Sequence, residues 1–534
     1  MGRTSLVFAL LLLAWSRCLG HEIVNSDLCV FGATSAGVIA AVEAAHQGLK
    51  VVLVESSDHV GGMTTGGLGQ TDIGNKAAIG GLARKFYKKV GQSYGTNEAW
   101  KFEPHVAEAV FREMLRESGV HVYLDHRLVA VSTSQSRIHS VSTQDSAIFQ
   151  ARVFIDASYE GDLMAKAGVS YTVGREANAT YHETLDGIRA MTPKHQFSVT
   201  VDPYVHAGDS ASGLLPFIQD QPLGEAGQGD HSVQAYNFRL CLTQNPTNKL
   251  PITPPANYDP AQFELLARYV EALTVAGKSV SLGQFMDLNR VPNGKTDVNN
   301  NGGFSTDFIG GNAGYANGSY PERERICRAH EDYTRGFLYF LATSPRLSAS
   351  LRGEMQSWGL CKDEFTNDAG WPTQLYIREA RRMIADYVMT EHNCRDSTIV
   401  PDPVGLAAYT MDSHNCRRIV RNWRVENEGD VQVGGFPPYQ ISYRSITPRQ
   451  SECENLLVPV CLSASHMAYG SIRMEPVFMV LGQSAAIAAG LALEENIAVQ
   501  KINYAKLRAR LLMAGQVLVS PAKSGASLRP GSFP

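Results

Sequence analysis

Asp27-Leu-Cys-Val-Phe31, Gly32-Ala-Thr-Ser-Ala-Gly37 and Val51-Val-Leu-Val54-Glu55 decide how the chain begins to fold. The first segment is a short apolar run that reads as a buried strand. The glycine turn leads into a helical run, Ala36 to Gln47, with Ala, Val and Ile at close-packing spacing, and Gly48 stops it. The third is another buried strand, and it ends in an acid. Together they predict a βαβ unit built for a dinucleotide. Gly32 permits the tight turn and Gly37 lets the helix approach the sheet. Ala33, Thr34, Ser35 and Ala36 lie between them, where a helix N-terminus faces a pyrophosphate. Glu55 is placed to accept hydrogen bonds from ribose hydroxyls. Thr34 stands where the usual fingerprint has its middle glycine, so a side chain occupies a place that suits bare backbone.

The next segment separates flavin from nicotinamide. Gly61-Gly62-Met63-Thr64-Thr65-Gly66-Gly67-Leu68-Gly69 follows the acid after five residues. A nicotinamide site needs nothing so rich in glycine there, whereas an FAD site uses such a loop to bring backbone amides to the ligand. Val153-Phe-Ile-Asp156-Ala157-Ser158 is a further buried strand that returns the chain to the nucleotide. The cofactor predicted is FAD. Only one fingerprint is present, so no NADPH site is indicated.

The resemblance is now specific. Gly61–Gly69, Phe102-Glu-Pro-His-Val-Ala-Glu108, Ile155-Asp-Ala-Ser-Tyr-Glu-Gly-Asp162, Tyr236-Asn-Phe-Arg-Leu-Cys241, Gln374-Leu-Tyr-Ile-Arg-Glu-Ala-Arg-Arg382 and Gly470-Ser-Ile-Arg-Met-Glu-Pro476 carry it. The chain resembles the FAD-dependent oxidoreductases whose bacterial members often bear a "xanthan lyase" label. That resemblance implies an α/β fold: a Rossmann-like, three-layer FAD-binding domain of the glutathione-reductase and fumarate-reductase kind, interrupted by an inserted α+β substrate domain. It also implies that the helix opened by Glu475-Pro476 points its positive end at the flavin, with Arg473 adding charge. An ion pair of Arg473 with Glu475 or another carboxylate is the alternative. No histidine follows Gly62 in the loop and His59 precedes it, so the FAD is expected to be non-covalent.

These assignments divide the chain. Residues 1–20 read as a secretory signal: one basic side chain in Met1–Thr4, the apolar run Val7–Trp15, then small residues at 18–20. Residues 22–190 are the first part of the FAD domain and 191–400 the inserted substrate domain. Residues 401–515 hold the return of the substrate domain and the second part of the FAD domain, with Asn455–Cys461 as its last strand and Ser463–Ser471 as a loop. Residues 516–534, frequent in Ser, Pro and Gly, read as a mobile tail. No stretch after the signal reads as a membrane span. Asn178-Ala-Thr and Asn317-Gly-Ser are glycosylation sequons. Eight cysteines remain beyond the signal, an even number that permits disulfides, with Cys29 read as a buried thiol. There is no metal motif: Asp297-Val-Asn-Asn-Asn-Gly302 copies half a calcium loop, but its twelfth position is Phe308, so it reads as a polar turn.

Substrate handling falls to polar residues on these segments. His414, two residues after Asp412, is the first candidate base, and His466 the second. Asn237, Arg239 and Arg444 are substrate candidates, with internal salt bridges the alternative for both arginines; His105 is a further candidate. Forty-eight basic against 52 acidic residues in 534 leave no field for nucleic acid. The function expected is a secreted oxidoreductase acting on a small or carbohydrate-like molecule, with dioxygen or another diffusible acceptor. A polysaccharide lyase or hydrolase, and a flavin-carrying protein without turnover, are the rivals.

Overall fold

The apolar runs assemble side by side. The computed structural model describes residues 22–190, 192–395 and 398–520; the predicted signal and most of the predicted tail lie outside them. A parallel sheet runs in the order Leu456–Leu457, Val153–Asp156, Leu28–Phe31, Val51–Val54, His121–Tyr123. Its three middle strands are buried at every residue, as a parallel sheet covered on both faces requires. Alternate side chains divide between two layers. Leu28, Val30, Val51, Leu53 and Ile155 pack with the helices. Phe31, Val52, Val54 and Phe154 pack with Leu128, Ile138, Val141 and Phe149 of a smaller sheet, so the domain has three layers.

The helical layer centres on Ser35–His46 and Glu475–Glu495. Gly482 allows their contact, since a Cβ there would run into the Ala36 carbonyl. The second helix has the length and apolarity of a membrane span, contrary to the sequence expectation. It is buried from Glu475 to Leu493, which makes it a core helix. Only Leu456–Leu457 of the strand predicted over Asn455–Cys461 pairs with a neighbour. The loop predicted over Ser463–Ser471 is instead mostly helix, His466–Ile472, capped by the Ser465 hydroxyl, which accepts from Ala468 N.

A second sheet, antiparallel and five-stranded, has the order Lys249–Leu250, Gly359–Cys361, Leu240–Thr243, Lys295–Asn300, Met286–Val291. Most of the half calcium loop is therefore strand and not turn: Asp297 and Val298 are paired on both sides, and Asn299 and Asn300 on one. Behind the sheet, Phe304 stacks on Tyr333 and Phe337 of the helix Tyr320–Thr343. Three antiparallel pairs then form an arm: Pro403–Ala407 with Tyr439–Ser442, Met411–Ser413 with Val431–Val433, and Arg417–Arg421 with Arg424–Glu428. The predicted tail begins too early, because Gln516 and Leu518 are buried and Gln516 Nε2 donates to the Val480 carbonyl. All eight cysteines of the described residues are free thiols, and burial pushes Cys29 up to about 12.

Candidate functional site

The strand register brings the first site residues together. Phe31 lies opposite both Val54 and Asp156, so Gly32, Glu55 and Ala157 leave the sheet at one edge, in the crevice beyond the strand ends. Gly32 has φ +95°, and a Cβ there would meet Ser158 N at 2.6 Å. Glu55 is held from below: one oxygen accepts from Ala33 N at 2.6 Å and the other from Ser57 N at 2.9 Å. Thr34 does not block the crevice. Its hydroxyl folds back, donating to the Ala157 carbonyl at 2.7 Å and accepting from Gly37 N at 3.3 Å, as a helix cap. Asp156 is equally internal, accepting from Ser158 and Met164, and burial pushes it up to about 6.

Above this edge is a cavity of 390 Å³ lined by Gly32, Thr34, Glu55, Gly62, Ser158 and Tyr159 on one side, and by Tyr320, Arg323 and Arg328 on the other. Tyr159 leads from it toward the second half of the site. Its hydroxyl accepts from Met63 N and donates to Glu475, both at 2.9 Å, while Thr64 donates to the other Glu475 oxygen at 2.6 Å. Glu475 thus ties the glycine loop to the start of the core helix, and burial pushes its carboxyl up. Ser35 lies in the first turn of the facing helix, its hydroxyl buried beside the Glu475 carboxyl.

Two residues before Glu475, Arg473 leads to a second cavity through Asp412. Its Nη2 contacts the Asp412 carbonyl at 3.0 Å and carboxylate at 3.3 Å, while its Nε is buried without a partner. The carboxylate partner left open by the sequence is thus Asp412. Asp412 and His414 line a 420 Å³ cavity with Lys194, His195, Asp287, Asn299, Asn300, Tyr409 and Gln432. His414 lies between two acids: Nδ1 is 2.8 Å from Asp307 and Nε2 3.6 Å from Asp412. Burial and the Arg378 guanidinium push this imidazole down, but the two carboxylates outweigh them and hold it above the ordinary histidine range. Burial and then His414 push His195, stacked at 6.2 Å, down to about 4. Burial raises Asp430 to about 7.

Other predicted residues take different places. His466 is fully buried, with Nδ1 at 2.8 Å from Glu379 and Nε2 at 2.8 Å from the Ser413 hydroxyl. Burial keeps it well below the ordinary range, and it braces the strand beside His414 without lining the cavity. Arg239 is committed to a two-pronged ion pair with buried Asp297, at 2.7 Å for each contact. Asp297 in turn accepts from Gly69 N and Gln70 N, so the pair fixes the glycine loop and leaves no free charge for a substrate. Arg444 pairs with Asp402 at 3.1 Å and lies over Tyr387, partly exposed and lining neither cavity. Asn237 is buried and lies beside Asn299, its amide oxygen unpartnered. His105 belongs to a separate cluster with Glu103 and Glu364, whose centre is filled by the Lys295 ammonium, 2.7 Å from each acid. Asp307, His195 and Asn299 were not found from sequence: they sit in a turn-rich stretch and a strand with no repeating pattern to mark them.

The residues fit FAD. Gly32, Glu55, Ser158 and the loop Gly61–Met63 would hold its ADP portion. Unpaired buried donors remain on Arg378, which contacts Asp307, and on Arg473, which contacts Asp412 of the second cavity.

Comparison with known proteins agrees with this geometry. Residues 27–511 match the family described as FAD dependent oxidoreductase. No curated protein matches. Solved structures that match include an anhydrotetracycline hydroxylase, OxyS, from Streptomyces rimosus (13% identity, 29% of this chain, 36% of that chain, TM-score 0.21). An L-proline dehydrogenase from P.horikoshii matches at 15% identity over 29% of this chain and 59% of its own, TM-score 0.24. A 3-ketosteroid-Δ4-(5α)-dehydrogenase from Rhodococcus jostii RHA1 matches at 15% over 29% and 50%, TM-score 0.20. The chain therefore spans between about a third and three fifths of the length of these structures. With a match over almost its whole described length, the chain belongs to the FAD-dependent oxidoreductase family, and FAD is its cofactor.

Proposed function

We propose that this oxidoreductase removes hydrogen from a small, hydroxyl-rich substrate in the cavity beside Arg473, with His414 as the proton acceptor. The observation that carries the proposal is the lining of that cavity. Asn299, Asn300, Gln432, Tyr409, Asp287 and Asp412 offer donors and acceptors of both kinds and almost no apolar wall, a surface suited to several hydroxyl groups. Bound FAD supplies the hydride acceptor. The chain's own residues orient the substrate, receive its proton at His414 Nε2, and hold positive charge at Arg473. Dioxygen or a similar diffusible acceptor completes the cycle.

His59 supports non-covalent FAD: its ring is buried against Thr65 and Gly62, with Nε2 2.8 Å from the Thr65 hydroxyl. The signal-like first twenty residues and the exposed Asn317 sequon support a secreted protein. The amide oxygens of both sequon asparagines are engaged, Asn178 by Asp186 N at 2.8 Å and Asn317 by Arg381 Nε at 2.9 Å, and Asn317, the more exposed of the two, is the better glycan acceptor.

The test is a screen of sugars and small polyols for flavin bleaching and peroxide release by the FAD-loaded protein. Bleaching by a hydroxylated compound supports the proposal. Bleaching only by apolar compounds would overturn the substrate class.

A further inference from the structure

His414 has a carboxylate at each ring nitrogen, and only one nitrogen can keep the proton when the ring is neutral. The nitrogen left bare is the one able to take a proton from a substrate. Asp307 is 2.8 Å from Nδ1, within hydrogen-bond range, while Asp412 is 3.6 Å from Nε2, outside it. Asp307 is itself held by charge: it is 2% exposed, its other oxygen makes an ion-pair contact, though no hydrogen bond, with Arg378 Nη1 at 3.0 Å, and Arg378 is buried over Tyr376. It does not line the cavity, whereas Asp412 and His414 do. The backbone of His414 is held too, its N–H donating to Gln234 Oε1 at 3.2 Å. Gln234 also donates to Glu379, the acid that holds His466.

We infer that Asp307, clamped by Arg378, is the positioning residue that keeps the proton of neutral His414 on Nδ1 and leaves Nε2 bare toward the cavity. Asp412 is the competitor. Without the Asp307 charge, the Asp412 carboxylate draws the proton to Nε2 and closes the acceptor. This inference rests on the reading of His414 as proton acceptor, but it concerns the resting protein and is measurable without a substrate.

The experiment is two-bond proton–nitrogen correlation spectroscopy of the FAD-loaded chain labelled with ¹⁵N-histidine, recorded on the alkaline side of the His414 titration. His414 is assigned by the signal lost in His414→Gln. The expected wild-type signal is that of an Nδ1-protonated ring, and Asp307→Asn moves it to the Nε2-protonated form. Asp412→Asn, which removes the competitor, leaves the Nδ1 form in place and keeps the test usable where Asp307→Asn does not fold. An Nε2-protonated ring in the wild type, or a switch of form in Asp412→Asn, overturns the inference. On a substrate that bleaches the wild-type flavin, Asp307→Asn lowers kcat by about 10²–10⁴-fold with little change in KM. Silence of the wild type toward every hydroxylated compound, with an Nδ1-protonated His414, would defeat the functional reading and leave the positioning role standing.

Discussion

Three side chains do unlike work although each was marked by the same kind of signal, a polar residue in an otherwise ordered motif. Glu475 is buried and accepts from Thr64 and Tyr159. Arg239 is locked to Asp297, and His414 faces a cavity with two acids around it. Removing one partner of the Arg239–Asp297 pair strands a buried charge and frees the amides of Gly69 and Gln70. Asp297→Ala is expected to cost about 3–5 kcal/mol in denaturant unfolding and to weaken FAD retention; a loss under about 1 kcal/mol would mean the pair does not brace the loop. For His414 the sign follows from its raised titration. Proton acceptance requires the neutral ring, so flavin reduction by substrate is absent at low pH and rises through a midpoint above 6.5. The folded protein loses the stabilisation of this ion pair over the same rise in pH, since a group raised in the folded state stabilises below its unfolded value. A pH profile of flavin reduction with its midpoint below 6.5 would contradict the assignment. His414 was legible in the sequence because Asp412 stands two residues away. Its closer partner, Asp307, was not, since the contact joins residues over a hundred positions apart and no local pattern records it.

At the level of elements, the legible parts were those with strong periodicity or a fixed turn. The βαβ unit follows from apolar runs separated by glycine, and the core helix from Pro476 and the seventeen buried positions behind it. Elements whose identity depends on neighbours were not legible. Asp297-Val-Asn-Asn300 is polar enough to read as a turn, yet it is strand because Leu240–Thr243 and Met286–Val291 pair along it and Arg239 neutralises its acid. The same reasoning predicts which glycines cannot change. Gly482→Val forces the two central helices apart at the Ala36 carbonyl and is expected to cost about 1–3 kcal/mol or more in urea unfolding. Gly48→Ala, with φ +78° but open space around it, costs about 1 kcal/mol from backbone conformation alone. Equal losses at both sites would argue against close packing of the two helices.

For the whole molecule, the near-balance of charge offers no field that would draw nucleic acid, and the glycine clusters point to a dinucleotide. What composition could not convey is that the nucleotide edge, the glycine loop, the core helix and the arm bearing His414 form one connected site through Tyr159, Glu475, Arg473 and Asp412. FAD that binds across these elements stabilises the fold by mass action. At about one hundred times its dissociation constant, added FAD contributes about 2.7 kcal/mol and raises the unfolding midpoint by several degrees. An unchanged midpoint would mean that FAD does not join these parts. The most direct measurement is anaerobic flavin bleaching by sugars and polyols, run in parallel on the wild type and His414→Gln, both loaded with FAD. The account predicts that a hydroxylated compound bleaches the wild type and that His414→Gln responds about 10²–10⁴-fold more slowly with its flavin still bound. Equal bleaching rates in the two proteins would contradict it.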